Sequence, residues 1–190
     1  EAEEELVPLP FTDTVGHWAE SYIQTLYSRG VVSGYSETSF GPDNQLTRAE
    51  FSKVLLNLYG ISAPPVIENP FKDVDSEAWY AGYVAKMKEM GVIQGYSDGT
   101  FRPDQSINRA EALKMIFVIA GKAVDDVDLS ASPFTDVDLN AWYAPYVLSA
   151  YKANIVSGYR DADGNLTGLF GPGNTVTRGE IAKIATLIFQ

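Results

Sequence analysis

Apolar residues recur along this chain at helical spacing, in a long-stretch, short-gap rhythm that repeats. Near the start, Trp18, Tyr22, Ile23, Leu26 and Tyr27 fall on one stripe of a helix. Gly30 follows and ends that helix at a position suited to a left-handed cap. An apolar step, Val31-Val32, leads into a polar, glycine-containing loop. A second stripe begins after Thr47 and carries Phe51, Val54, Leu55 and Leu58. Thr47-x-x-Glu50 is a capping box, in which the hydroxyl takes the N–H three residues on and Glu50 reaches back. The pattern therefore predicts helix, loop, helix.

The same unit returns twice. Phe11-Thr12-Asp13 recurs as Phe71-Lys72-Asp73 and Phe134-Thr135-Asp136, and Trp18 as Trp79 and Trp142. Gly34-Tyr35 recurs as Gly95-Tyr96 and Gly158-Tyr159, and Phe40-x-Pro42 as Phe101-x-Pro103 and Phe170-x-Pro172. Thr47-Arg48-Ala49-Glu50 recurs as Asn108-Arg109-Ala110-Glu111 and Thr177-Arg178-Gly179-Glu180. The cap position of the first helix recurs as Gly91 and Asn154, the second residue best suited to that backbone. The later second helices carry Ala112, Met115, Ile116 and Ile119, then Ile181, Ile184, Ala185 and Ile188. The tryptophans lie 61 and 63 residues apart and the arginines 61 and 69, so the third copy carries an insertion between Tyr159 and Phe170.

These landmarks divide the chain into an acidic lead-in (1-7), repeat one (8-60), a linker (61-67), repeat two (68-121), a linker (122-131) and repeat three (132-190). A two-helix unit cannot bury its stripe alone. Three of them around a pseudo-threefold axis can share one core, so the expected fold is all-α, a pseudo-trimeric bundle formed within one chain.

Composition narrows the function. With 45% hydrophobic and 21% charged residues the chain is globular. A net charge of −11 opposes nucleic acid and anionic lipid at long range, so an anionic partner needs a local positive site. The absence of cysteine excludes disulfides and thiolate metal sites. No apolar run is long enough to span a membrane, and none of the given residues is expected to act as a signal peptide. A start at Glu1 rather than Met is expected of a processed chain or a fragment, and the run Glu1-Ala2-Glu3-Glu4-Glu5 reads as a solvated lead-in.

Taken in order and three times over, the Phe-x-Asp before a Trp, the run from Gly95 to Pro103 and the Thr-Arg-Ala-Glu at Thr47–Glu50 resemble the S-layer homology (SLH) family. The resemblance covers nearly the whole chain. It implies a pseudo-trimer with three grooves between repeats, and non-covalent attachment to a secondary cell-wall polymer, often one bearing a pyruvate ketal. It implies a ligand-contacting role for Arg48, Arg109 and Arg178, and extends the ligand set to Asp13, Asp73, Asp136, Trp18, Trp79 and Trp142. It also implies a secreted module at the cell surface, fused or attached to a larger surface-layer or exported protein, without cofactor, metal or enzymatic activity. Ser36-Glu37-Thr38-Ser39, Asn108 and Gly179 depart from the pattern. Gly179 weakens its helix start by about 0.5–1 kcal/mol.

The arginines also make sense on their own chemistry. Each follows an N-cap, so its guanidinium can fold beside the free N–H groups of the first turn and present a forked donor to a carboxylate. The competing reading pairs Arg48 with Asp43 or Asp13. For the tryptophans, packing as the first core residue of each helix outweighs stacking on sugar. The aspartates could bind hydroxyls or hold the local loop, with the two roles balanced. Gly34, Gly95 and Gly158 could admit ligand close to the backbone, but a positive-φ turn is the stronger reading. Lys53, Lys114 and Lys183 lie three residues after their glutamates and suggest surface pairing. Asp161–Asn165 resembles the start of a calcium loop, yet Leu166 and Pro172 stand where that pattern needs other residues, so no ion is expected there. His17 is the only histidine and recurs nowhere. A threefold repeat argues against an active site. The main alternative is a self-assembly or protein-interaction module without sugar binding.

Overall fold

Three capping boxes start the three longer helices. The computed structural model describes residues 6–62, 65–66, 68–124, 127–128 and 130–189. The acidic start, 1–5, and parts of both linkers lie outside the described residues. The first helices of the repeats are α1 (Glu20–Ser28), α3 (Ala81–Glu89) and α5 (Ala144–Lys152). The second helices are α2 (Arg48–Leu58), α4 (Arg109–Ile119) and α6 (Arg178–Ile188). No strand forms among the described residues, only isolated bridges. The fold is all-α with three repeats.

The Thr47 hydroxyl accepts from the N–H of Glu50 at 3.2 Å and Glu50 accepts from the N–H of Thr47 at 2.9 Å. Asn108 with Glu111 and Thr177 with Glu180 repeat the arrangement. The first helices stop where the sequence predicts. Gly30, Gly91 and Asn154 have φ of 69°, 73° and 57°, and left-handed backbone cannot continue an α-helix.

The repeats close into a ring. The second helix of each packs on the first helix of the next: α2 on α3, α4 on α5 and α6 on α1. At the centre three backbone bonds run head to tail. The Ile107 N–H donates to Leu46 at 3.0 Å, Val176 to Ile107 at 3.1 Å and Leu46 to Val176 at 3.2 Å. Those three side chains are buried. Phe40, Phe101 and Phe170 are buried beside Phe11, Phe71 and Phe134, with ring centroids 5.5, 5.5 and 5.6 Å apart. The shared core combines the apolar stripes of all six helices.

The ring also uses the second-helix N-termini. The N–H groups of Arg48 and Ala49 donate to the carbonyls of Gln105 and Pro103 in repeat two. Arg109 and Ala110 donate to Asn174 and Pro172, and Arg178 and Gly179 to Asn44 and Pro42. The N–H three residues after each cap is taken by the capping side chain. These donors were expected to be free for a ligand. They are instead bonds between repeats, because a buried helix end must have partners.

Candidate functional site

Each junction between repeats holds a groove assembled from all three. The first is lined by the 30–35 loop and α2 of repeat one, by Trp79 of repeat two and by Arg178 of repeat three. In the second, the 92–96 loop and α4 meet Trp142 and Arg48. In the third, the 155–160 loop and α6 meet Trp18 and Arg109. Their volumes are about 480, 150 and 430 Å³.

The tryptophans are not core residues. Trp18, Trp79 and Trp142 are 55%, 54% and 53% exposed, each on the edge of a groove. They precede the first turn of α1, α3 and α5, off the stripe that faces inward. The buried places fall five residues later, at Ile23, Val84 and Val147. An exposed indole at a groove edge is a flat apolar face able to meet a sugar ring.

The lysines, too, leave their expected partners. The Lys53 ammonium lies 5.7 Å from the Trp79 ring centroid and that of Lys114 lies 5.4 Å from Trp142. Lys183 lines the third groove with Trp18. Each lysine is thus on the groove and faces a neighbouring repeat.

Arg48 reaches into repeat two, where its Nε donates to the Phe101 carbonyl at 2.8 Å and its Nη1 pairs with Glu111 at 3.2 Å. Arg109 does the same in repeat three, with Phe170 at 2.9 Å and Glu180 at 2.6 Å. Neither pairs with an aspartate of its own repeat, and both are buried, at 6% and 7% exposure. Arg178 is less enclosed. Its Nη2 donates to the Ser33 carbonyl at 2.6 Å. All three guanidinium groups lie over the tyrosine of the Gly-Tyr pair: Arg178 on Tyr35 at 4.4 Å, Arg48 on Tyr96 at 5.0 Å and Arg109 on Tyr159 at 4.7 Å. Burial raises the Tyr35 and Tyr96 hydroxyl pKa values, and the nearby arginines only partly oppose it.

Asp13, Asp73 and Asp136 hold the loop. Asp13 accepts from the N–H groups of Phe40 and Gly41 at 2.9 and 2.8 Å and from the Ser39 hydroxyl at 2.8 Å. Asp73 accepts from Phe101 and Arg102 at 2.8 and 2.7 Å, and Asp136 from Phe170 and Gly171 at 2.8 and 2.7 Å. None of the three lines a groove. Burial acts to raise the Asp13 carboxyl, but these bonds prevail and hold it below its ordinary value.

Gly34, Gly95 and Gly158 line the first, second and third grooves. Gly95 and Gly158 have φ of 79° and 80°, whereas Gly34 lies outside the left-handed region. What all three share is a close approach to the phenylalanine of the Phe-x-Asp motif. A Cβ at Gly158 would sit 2.7 Å from Phe134, and one at Gly34 or Gly95 would collide with Phe11 or Phe71.

His17 Nδ1 accepts the Ala19 N–H at 3.1 Å, which leaves Nε2 to donate to Asp43 at 3.2 Å. The Asp161 carboxylate accepts from the N–H groups of Asp163 and Asn165 within a turn closed by the Arg160–Leu166 bridge.

Fold and grooves define a three-repeat helical module with a composite groove at each junction. Residues 10–52, 70–113 and 133–182 match the S-layer homology domain, and the chain belongs to that family. It is 32% identical over 182 residues to an amylopullulanase of Thermoanaerobacterium thermosulfurigenes, covering 92% of this chain and 9% of that protein. It is 33% identical over 132 residues to a cellulosome-anchoring protein of Acetivibrio thermocellus, covering 66% of this chain and 28% of that protein. A surface-layer 125 kDa protein of Lysinibacillus sphaericus is 29% identical over 171 residues, covering 90% of this chain and 14% of that protein. The chain thus spans a small part of each.

Proposed function

We propose that this chain is a non-catalytic module that holds a larger protein on the cell surface by binding a cell-wall polysaccharide in its junction grooves. The observation that carries the reading is the composition of each groove. Every one presents a half-exposed tryptophan, a lysine and an arginine, contributed by three different repeats. The indole offers a face for a sugar ring. The cations offer charge to an acidic substituent such as a pyruvate ketal, against an overall charge of −11. The names of the relatives, a cellulosome-anchoring protein and a surface-layer protein among them, support attachment at the surface. The relatives that are enzymes match this chain over a small share of their length, as expected of a shared anchor beside unrelated catalytic parts.

The test is co-sedimentation with purified peptidoglycan sacculi before and after chemical extraction of the wall polymer. Binding to intact sacculi that disappears on extraction is expected. Binding that survives extraction, or none to either, overturns the reading. Self-association of the protein without sacculi favours the self-assembly alternative.

A further inference from the structure

We infer that the three grooves are not equivalent: the first, served by Arg178, receives the acidic group of the ligand, while Arg48 and Arg109 are clamps between repeats. The inference rests on the polysaccharide reading and specifies where its acidic group binds.

Arg48 and Arg109 each have two of the three guanidinium nitrogens committed. In each, Nε is held by a carbonyl of the next repeat and Nη1 by a glutamate of that repeat. The glutamates are themselves about four-fifths shielded, with 20% side-chain exposure. A ligand carboxylate that takes the forked pair of Nη donors there must displace Glu111 or Glu180 and leave it shielded, charged and beside a second anion, while one that spares the ion pair meets Nη2 alone, next to that anion. Removing one partner of a shielded pair costs more than the pair contributes.

Arg178 faces a different situation. No ion pair joins it to Glu50, the counterpart of Glu111 and Glu180, among the described residues. Glu50 is engaged instead by the Tyr35 hydroxyl at 3.2 Å and the Thr47 N–H at 2.9 Å. Nor does Arg178 repeat the Nε bond of the other two, whose counterpart here would be the Phe40 carbonyl. Its Nε is buried without an acceptor, so this guanidinium lacks one of the anchors that hold the other two. An incoming carboxylate therefore meets this guanidinium without displacing an anion. Space points the same way, since this groove has about 480 Å³ and the second has about 150 Å³. The third is roomy, but its arginine holds the shortest ion pair of the set.

The experiment is titration calorimetry with polymer fragments released from sacculi, used intact and after mild acid removal of the acidic ketal, alongside thermal unfolding. Arg178→Ala should weaken binding of intact fragments about 10- to 100-fold, the value of a charge-assisted hydrogen bond. It should leave binding of the acid-treated fragments unchanged. Arg48→Ala and Arg109→Ala should lower the unfolding temperature more than Arg178→Ala and weaken binding less than about threefold. If those two variants do not fold, Glu180→Gln decides. Gln keeps the capping box and removes the competing charge, so Arg109 should be released and a second site for acidic fragments should appear. Equal losses for all three arginines, or no added site in Glu180→Gln, overturns this inference alone. No binding of either fragment by the parent protein overturns the anchoring reading with it.

Discussion

The ammonium of Lys53 in the first repeat lies 5.7 Å from the ring centroid of Trp79 in the second. The two residues are 26 positions apart and belong to different repeats, yet they form one wall of one groove. Lys114 and Trp142 reproduce the relation at 5.4 Å. A cation beside an aromatic face suits an anionic sugar, which offers ring C–H groups to the indole and charge to the ammonium.

The three groove tryptophans are the only ones in the chain, so intrinsic fluorescence should report binding directly. Adding wall-polymer fragments should shift or quench the emission. Trp79→Ala should leave the unfolding midpoint nearly unchanged, because the side chain is half exposed. It should weaken binding roughly tenfold, taking about 60 Å² of ring face at about 25 cal/mol/Å². A large loss of stability with unchanged binding would make Trp79 structural.

Glu180 and Glu50 occupy equivalent capping boxes, but only Glu180 also pairs with an arginine of another repeat. Glu50→Ala should therefore cost about 1 kcal/mol, the value of a cap. Glu180→Ala should cost about 2–4 kcal/mol, because it strands the buried Arg109 guanidinium as well. Urea unfolding of the two variants measures the difference, and equal losses would remove the inter-repeat ion pair from the stability of the ring.

Asp13 couples the loop to pH. Its folded pKa lies below the ordinary 3.8, so its contribution is fully present above that value and is lost as pH falls through the folded pKa. Asp13→Asn removes the charge and should cost about 1 kcal/mol near neutral pH, a figure reduced for its exposure to solvent. The gap in unfolding midpoint between parent and variant should narrow from about pH 4 downward. A gap that stays constant to pH 2 would mean that the charge contributes nothing.

The six helices and their caps were legible because each depends on local spacing. Thr47 and Glu50 meet across three residues, and Gly30, Gly91 and Asn154 recur where a helix must stop. The arginines stood out as candidates because they recur in an acidic chain, and each lines a junction groove. The lysines were visible by the same recurrence, but a glutamate three residues earlier offered a simpler partner, and only the neighbouring repeat's tryptophan shows otherwise. Tyr35, Tyr96 and Tyr159 recur just as regularly, yet nothing local says that an arginine more than 40 positions away will lie over each ring. The tryptophans misled because hydrophobicity places a large ring inside. Their exposure follows from sitting before the first helical turn, a boundary that periodicity resolves poorly.

By itself, then, the sequence determined the repeat, the helices with their caps, and the need for three units to share a core, since all of these follow from periodicity and short-range hydrogen bonding. The tertiary structure decided what the N-terminal N–H groups of α2, α4 and α6 bind, which arginines meet a carboxylate and how far each groove opens. Those outcomes depend on ring closure, which joins residues 46, 107 and 176 through bonds between repeats. Three nearly identical motifs can then end in unequal electrostatic settings, because each arginine's partner belongs to another repeat and its position is fixed only when the ring closes.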